Sequence, residues 1–138
     1  MNTAKSSALL LVSHGSRRRA SNEEVKALAR DLAARMHSHF SFVRYAFLEL
    51  ADPSIPDGIE ACVAAGADRI IILPHFLSAG VHVSKDIPAE VEKKKKKYPQ
   101  LKIDIADYLG QSEELVKVLS DLALRQKNTG RDESDGKP

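Results

Sequence analysis

The sequence predicts a single α/β domain with three layers, in which helices cover both faces of a four-stranded, mostly parallel sheet. Two observations support this fold class. Short apolar runs typical of strands alternate four times with segments whose apolar residues recur at helical spacing. In addition, 138 residues are enough to bury the core of one domain but too few for two domains of ordinary size. Connections between successive parallel strands are expected to be right-handed.

The first strand and the first helix are predicted within residues 8–37. Residues 8–12 form a continuous apolar run rich in leucine, as in a strand that is buried on both faces. Ser21 and Glu24 form a potential capping box for a helix over residues 21–37. The apolar residues of this helix recur three and four positions apart and are Val25, Leu28, Ala29, Leu32, Ala33 and Met36.

The second strand and the second helix are predicted within residues 42–66. Residues 42–48 carry aromatic and β-branched side chains, which favour a strand, and a turn signal follows at residues 51–53. A second helix is expected to end at Gly66, and its apolar stripe consists of Ile55, Ile59, Cys62 and Val63. The position of Cys62 on this stripe predicts that its thiol is buried in the core.

A third strand and a third helix follow. Residues 70–73 are apolar, which predicts a buried strand that ends at Pro74. After a loop that contains Gly80, a helix is predicted over residues 84–97. Pro88 then falls in about the first turn, where proline is tolerated because the amide hydrogen has no helical partner there.

The C-terminal part of the chain supplies an edge strand, a final helix and a tail. Residues 101–105 alternate apolar and charged side chains, as a half-exposed edge strand does. A final helix is expected after Ser112. The polar residues 126–138 are predicted to be a disordered tail behind a folded domain of residues 1–125. The complete pattern predicts a flavodoxin-like or Rossmann-like arrangement.

The composition excludes several classes of protein. A single cysteine rules out a disulfide framework and any metal centre built from several cysteines of this chain, and it favours a reducing, cytoplasmic location. The longest wholly apolar run, residues 8–12, is too short to span a membrane, and the first residues lack the layout of a signal peptide. We therefore expect no membrane partner.

Charge and common motifs exclude further functions. The net charge of +2 does not require a nucleic-acid partner, and the five lysines at residues 93–97 are interpreted as a solvated helix end. The chain contains no Gly-x-Gly-x-x-Gly motif, no Gly-Lys-Ser/Thr phosphate loop and no Gly-x-Ser-x-Gly elbow. These absences argue against a dinucleotide enzyme, a nucleoside-triphosphate enzyme and an α/β-hydrolase.

Polar residues follow the predicted strands at the point where each strand ends. In open α/β sheets, ligands bind beyond the carboxyl ends of the strands, so these residues are candidates for a functional site. His14 to Arg17 follow the first strand, and Glu49 follows the second. The third strand is followed by His75, Ser78, Gly80 and His82. Two or three imidazoles and one carboxylate at one edge would suit metal binding or acid–base chemistry.

The residues alone leave the role of each candidate open. His14 either faces the crevice, where Gly15 lets the backbone turn sharply, or binds a loop carbonyl group. His82 and His75 either serve the site or pack against the fold. Glu49 lies at the mouth of the site or reaches solvent, and Arg17 either grips an anion or is a surface cation. Surface roles are the simpler interpretation of Arg18, Arg19, His37 and His39.

Several stretches of the sequence together resemble the small CbiX-type sirohydrochlorin chelatases, the short class II chelatases. The resemblance covers residues 9–122, and a His-Gly-Ser motif combined with Gly-x-His-Val at this separation is far more specific than either part. The matching stretches are SHGSR at 13–17 with Asn22, FLELA at 47–51, PSI at 53–55, LPHFLSAGVHV at 73–83 and DIP at 86–88.

The resemblance implies a chelatase-like fold and a lyase that inserts Co²⁺, Fe²⁺ or, in some members, Ni²⁺ into sirohydrochlorin. The two histidines of the family correspond to His14 and His82. The resemblance also implies a homodimer, because short members are similar to one half of the longer, two-lobed chelatases. Relatives often carry another residue at the position of His75, so this third imidazole is an auxiliary ligand or has no role. The histidine-rich or cysteine-rich tails of some relatives are missing here.

The chemistry of these residues agrees with metal insertion. Two imidazoles with open coordination positions bind a divalent ion loosely enough to release it, and neutral imidazole also accepts protons. We therefore predict that His14 and His82 hold the metal and accept protons, with Glu49 as an assisting carboxylate and His75 as a possible further ligand. Candidates for contacts with the carboxylates of the substrate are Gly15, Ser16, Arg17, Ser78, Gly80 and Lys85.

Two other functions remain open from the sequence. A metal or tetrapyrrole carrier would use the same residues without turnover. A phosphoryl-handling enzyme would use His14 and Arg17 to bind phosphate, although no other phosphate motif is present. No permanently bound cofactor is expected, since the metal is a substrate. The ligand types do not select between Co²⁺, Fe²⁺ and Ni²⁺, because the same ligands favour several of these ions.

Overall fold

The computed structural model describes residues 6–78 and 80–135, without the side chains of residue 82 and residues 130–135. This description leaves out residues 1–5, Ala79 and residues 136–138. What the sequence predicts for them stays a prediction. The strands and helices are β1 (Ser7–Ser13), α1 (Arg19–Arg35), β2 (Phe42–Phe47), α2 (Ile55–Ala64), β3 (Arg69–Pro74), α3 (Val81–Lys97), β4 (Lys102–Ile105), a short 3-10 helix (Leu109–Gln111) and α4 (Glu114–Asp135).

The predicted three-layer α/β domain is confirmed. The four strands form one sheet in the order β2-β1-β3-β4, and every neighbouring pair is parallel. Strand β4 lies at an edge, as its alternating sequence predicts. Because all four strands run in the same direction, their carboxyl ends meet at one edge of the sheet. We call this edge the carboxyl edge.

Strand β1 is central and is buried on both faces. Leu10 and Val12 pack with α2 and α3 in the larger apolar cluster, which also contains Ile59. Leu11 faces the opposite side and packs in a smaller cluster with Phe47 and α1. Residues of one strand alternate between the two faces of a sheet, so a strand with helices on both sides is apolar at every position. This explains the uninterrupted apolar run at residues 8–12.

Cys62 and Glu60 of α2 both interact with other parts of the fold. Burial raises the pKa of the Cys62 thiol to about 11, which confirms its place in the core and removes it from consideration as a nucleophile. Glu60 accepts hydrogen bonds from Lys94, Lys97 and the Tyr98 hydroxyl at 2.7, 3.0 and 2.5 Å. These bonds lower the pKa of the Glu60 carboxyl to about 2 and join α2 to the lysine-rich end of α3.

Two predicted helix starts are wrong. Helix α1 begins at Arg19 rather than at Ser21, so the predicted capping box does not form, and the Ser21 amide hydrogen instead bonds to the Arg18 carbonyl oxygen. Helix α3 begins at Val81 rather than at Ser84, with Gly80 as its N-cap. Pro88 therefore lies inside α3 and not in its first turn. The loop before α1 contacts the loop after β2, where Glu49 donates to the His14 carbonyl oxygen, and the loop before α3 accepts a hydrogen bond from Gly110 at the Phe76 carbonyl oxygen. These contacts are distant in sequence and add to the local capping signals on which the predicted starts were based.

Over residues 126–135 the predicted disorder differs from the structure, in which α4 continues to Asp135; the prediction for residues 136–138 lies outside the described part of the chain. Leucine, arginine, glutamine and lysine at residues 124–127 favour helix, and adding residues to an existing helix avoids the cost of nucleation. Helix α4 lies mainly against the 3-10 helix. Of the helices in the described part of the chain, none is both long enough and apolar enough to cross a bilayer.

Candidate functional site

His14 and Glu49 form a direct pair at the carboxyl edge. His14 follows β1, Glu49 follows β2, and the His14 Nε2 and Glu49 Oε2 atoms are 2.8 Å apart. The backbone ladder between the two strands continues beyond their ends, since Leu48 donates to the Ser13 carbonyl at 2.8 Å and Glu49 to the His14 carbonyl at 3.0 Å. Both side chains are about half exposed, at 54% and 56%. A ligand can therefore reach the pair from solvent.

Gly15 allows the two loops to approach each other this closely. Its φ angle is +96°, in the left-handed region that favours glycine, which confirms the predicted sharp turn. A Cβ atom at this position would lie 1.8 Å from the Glu49 carbonyl oxygen, far inside van der Waals contact. The absence of a side chain at Gly15 thus determines where the Glu49 backbone lies relative to His14.

Asn22 of α1 holds the loop after His14 in place. Its Oδ1 atom accepts the Ser16 amide hydrogen at 3.0 Å, and its Nδ2 atom donates to the Ser16 carbonyl at 2.7 Å. The Ser16 hydroxyl accepts the Arg18 amide hydrogen at 3.0 Å. The Ser16 amide hydrogen is therefore already bonded within the loop, and a contact between Ser16 and the substrate stays a prediction. The sequence did not predict that Asn22 positions this loop. Its only signal there is that Asn22 belongs, with SHGSR at 13–17, to the stretches that resemble the family.

A small basic cleft lies beside the pair. Its volume is about 290 Å³, and its lining carries three basic side chains, Arg17, Arg19 and Lys26, against two acidic ones, Glu23 and Asp52. Arg17 is exposed, as a residue that contacts a bulky anion must be. Lys26 also bonds to Glu23 at 2.9 Å. Arg19, which the sequence assigns to the surface, lines the same cleft as Arg17.

The remaining predicted substrate residues lie after β3, at the same edge. Ser78 and Gly80 are exposed in the β3–α3 loop, and Lys85 is exposed in the first part of α3. His82 is the second residue of α3, so its backbone belongs to the carboxyl edge. Its side chain lies outside the part of the chain that the structure describes.

His75 lies in a different environment from the His14–Glu49 pair. Its amide hydrogen bonds to the Val12 carbonyl oxygen at 2.7 Å, and its ring borders a cavity of about 790 Å³ whose lining includes neither His14 nor Glu49. The Nδ1 atom is buried, and no atom in the described part of the chain is its hydrogen-bond partner. Among the residues with described side chains, no three histidine, cysteine or acidic residues are grouped as metal ligands. Of the predicted metal-binding and catalytic residues whose side chains are described, the structure thus brings His14 and Glu49 together.

The fold and this pair define a class of protein: a small, parallel α/β domain whose carboxyl edge carries a solvent-accessible imidazole–carboxylate pair beside a basic cleft. The family model described as CbiX matches residues 8–126. The chain belongs to the CbiX family.

Curated relatives share this sequence over most of its length. The sirohydrochlorin ferrochelatase of Bacillus subtilis is 34% identical over 137 residues, which cover 93% of this chain and 52% of the relative. The sirohydrochlorin cobaltochelatase of Sulfolobus acidocaldarius is 35% identical over 115 residues, which cover 83% and 88%. This chain therefore spans about half of the Bacillus relative but most of the Sulfolobus relative.

Solved structures show the same fold. The sirohydrochlorin chelatase SirB from Bacillus subtilis, crystallised in complex with cobalt, is 34% identical and superposes with a TM-score of 0.76, over 89% of this chain and 50% of that chain. A putative CbiX protein from Marinobacter aquaeolei superposes with a TM-score of 0.73 over 89% and 98%, at 24% identity.

Proposed function

We propose that this protein is a sirohydrochlorin chelatase that inserts a divalent metal ion into the macrocycle, with Co²⁺ as the first candidate and Fe²⁺ or Ni²⁺ as alternatives. The observation that carries the proposal is the 2.8 Å contact between His14 Nε2 and Glu49 Oε2 at the carboxyl edge. The names of the Bacillus and Sulfolobus relatives support the substrate and the reaction.

The pair suits the binding of a metal that must later be released. Ligand atoms about 2.1 Å from a metal ion and at right angles to each other are about 3 Å apart, close to the observed separation. An ion held by the His14 imidazole and the Glu49 carboxylate would replace the proton that these groups share. In this proposal His82 supplies a second imidazole. Since His75 borders a separate cavity, the proposed ligand set contains His14 and His82 but not His75.

The same groups can manage the protons of the reaction. Insertion replaces two protons on pyrrole nitrogens by one divalent ion, so two protons must leave as the metal–nitrogen bonds form. When the ion moves from the protein to the macrocycle, the Nε2 atom of His14 and the carboxylate of Glu49 become free to accept protons. Solvent exposure of both side chains lets those protons pass on to water. No nucleophile is required.

The basic cleft suits a substrate with several carboxylates. Arg17 can form bidentate hydrogen bonds to a carboxylate, and Arg19 adds positive charge beside it. Gly15, Ser78, Gly80 and Lys85 remain candidates for further contacts, whereas Ser16 supports the loop through Asn22. We also propose a homodimer, in which a second copy takes the place of the second half present in the longer relatives.

An anaerobic assay of sirohydrochlorin absorbance with Co²⁺, Fe²⁺ and Ni²⁺ tests the proposal. We expect His14→Ala and His82→Ala each to lower the initial rate by roughly 100-fold or more, as loss of a ligand and proton acceptor does. His39→Ala is the matched control, because His39 is exposed at the opposite end of the sheet, between α1 and β2. Wild-type rates in both site variants would refute the assignment.

Turnover separates an enzyme from a carrier. With excess metal and excess sirohydrochlorin, an enzyme forms many equivalents of product per chain, whereas a carrier stops at one equivalent. The same experiment with a simple phosphoester as competitor tests phosphate binding at Arg17. We expect multiple turnovers and no competition by the phosphoester.

A further inference from the structure

Strand β2 lies at one edge of the sheet and has a side that faces away from β1. The Leu48 amide hydrogen bonds toward β1, whereas the Phe47 amide hydrogen bonds on the opposite side, to the Pro53 carbonyl oxygen at 2.8 Å. The backbone polar groups of successive strand residues point to alternate sides. Val43 and Tyr45 lie four and two positions before Phe47, so their amide and carbonyl groups also point away from β1.

The chain covers only the C-terminal end of this outer side of β2. Ser54 forms a parallel bridge with Phe47 there. Among the described residues outside the sheet, none bonds to the backbone groups of Val43 or Tyr45. An edge strand with open backbone groups is a template on which another extended chain can form a strand. With six residues, β2 is about 20 Å long, which is enough to pair with a short peptide segment.

A groove of about 280 Å³ lies along this side of β2, between α1 and α2. We call it the β2 groove. Its lining includes Val43 and Tyr45, so it follows the open backbone groups. Several residues that the two helices contribute to it have small side chains or none, namely Ala29, Ala33, Gly58 and Ala61. These small residues leave room for another backbone beside the strand.

The lining of the β2 groove is basic. It includes Lys26, Arg30 and Arg44, and none of its described residues is acidic. Lys26 is already paired with Glu23 at 2.9 Å. Arg30 and Arg44 are exposed, and neither forms an ion pair with another residue in the described part of the chain. The Arg44 guanidinium instead lies 5.0 Å from the centre of the Phe42 ring. Two positive charges beside the open strand are therefore available to an anionic partner.

The two arginines serve opposite faces of the sheet. Arg30 belongs to α1, which packs with Tyr45 on one face. Side chains of a strand alternate between faces, so Arg44 lies on the other face with Ala46, which packs against α2. A strand added beside β2 also projects its side chains to both faces in turn. Acidic residues on either face of that strand therefore meet an arginine.

We infer that the β2 groove binds an extended, acidic segment of another protein, which adds to the sheet as a fifth strand. Backbone hydrogen bonds to Val43 and Tyr45 supply affinity, and carboxylates beside Arg30 and Arg44 select the segment. A second copy of this chain is a poorer occupant, because pairing two β2 strands brings the same positive charges together. The inference does not depend on the chelatase reaction, since neither arginine lines the basic cleft beside the His14–Glu49 pair.

Binding of a synthetic peptide tests the inference. The probe is a fluorescent, end-capped peptide of about eight residues in which glutamate and valine alternate, and anisotropy measures its Kd for the full chain. Two control peptides follow from the two sources of binding. One has lysine in place of glutamate, and the other has N-methyl groups on two adjacent central residues, which removes one amide donor on each side of the strand. Each change should raise Kd roughly 10-fold or more. Equal binding of either control peptide would overturn the inference.

Charge reversal in the protein locates the binding site. The double variant Arg30→Glu with Arg44→Glu should raise Kd for the glutamate–valine peptide roughly 10-fold or more. The double variant Arg35→Glu with Lys102→Glu is the matched control, because it changes the net charge equally. Both of its positions are exposed and lie outside the β2 groove, and Lys102 belongs to the opposite edge strand β4. Its Kd should stay within about two-fold of wild type. Circular dichroism checks the fold of both variants, and equal Kd values in the two would contradict the assignment.

Amide hydrogen exchange distinguishes strand addition from simple attraction between charges. In the protein alone, the amides of Val43 and Tyr45 should exchange faster than those of Arg44 and Ala46, which face β1. Saturation with the glutamate–valine peptide should slow exchange at Val43 and Tyr45. Unchanged exchange at both positions would show that the peptide does not join the sheet. Slow exchange at both positions without peptide, increasing with protein concentration, would assign the edge to a second copy. Either result overturns the inference, and both are read without sirohydrochlorin or metal.

Discussion

Replacement of Gly15 by alanine tests how the structure builds the His14–Glu49 pair. At a φ of +96° an alanine is strained, at a cost of about 1–3 kcal/mol. Its Cβ would also lie 1.8 Å from the Glu49 carbonyl oxygen, so one loop has to move by more than 1 Å. That movement breaks the two backbone hydrogen bonds from Leu48 and Glu49, worth about 1 kcal/mol each.

The expected loss of unfolding free energy is therefore about 3–5 kcal/mol, or a fall in Tm of about 10–20 °C for a chain of this size. The rate of the proposed metal insertion should fall even at temperatures below the melting transition, because Glu49 no longer reaches His14. Urea unfolding and the absorbance assay measure the two effects separately.

Two other glycines provide matched controls. Gly66 has a φ of +100°, but no atom of the described residues lies within 4 Å of the place that a Cβ would take, so Gly66→Ala has only the conformational strain. Gly80 has a φ of −76°, and among the residues with described side chains none comes within 4 Å of the place that its Cβ would take, so alanine there should be nearly neutral for stability. The reasoning would be refuted if Gly15→Ala were no more destabilising than Gly66→Ala, or if it kept full activity.

Two further predictions concern stability. The pKa of Glu60 is lowered from 4.5 to about 2, so its bonds to Lys94 and Tyr98 stabilise the folded state above pH 4.5 and lose this effect as the pH falls toward 2. Glu60→Gln should therefore be less stable than wild type at pH 7, and the difference between their urea midpoints should shrink between pH 4.5 and 2. Glu92→Gln is the control: the ion-pair partner of Glu92 is 3.7 Å away, so this variant should have nearly the urea midpoint of wild type. Leu50 has a φ of +66° and is 53% exposed, so Leu50→Gly should stabilise the fold. The gain in unfolding free energy is at most about 1 kcal/mol. The free energy released by relieving the strain only slightly exceeds the cost of the extra entropy that glycine gives the unfolded chain. Leu50→Ala keeps the strain and should show no gain, and an equal gain in both variants would contradict this explanation.

The sequence by itself determined the fold class, because the signals for it are local. Apolar runs and stripes at residues 8–12 and 55–63 identify strands and helices by periodicity, and the alternation of the two types specifies a parallel sheet. Since parallel strands end at a common edge, the sequence also located the residues to inspect, including His14 and Glu49. Helix starts were less predictable, because Arg19 and Val81 follow loops whose shape depends on contacts distant in sequence.

Only the tertiary structure decided which candidates meet. The pairing of His14 with Glu49 depends on the register of β1 against β2 and on the room that Gly15 leaves, neither of which appears in a local pattern. The same is true of His75, which follows its strand just as His14 does but borders a cavity on the α1 face. The periodicity of a sequence indicates which face of a helix or strand is buried. The distances between side chains of different elements are set instead by the packing of the whole domain.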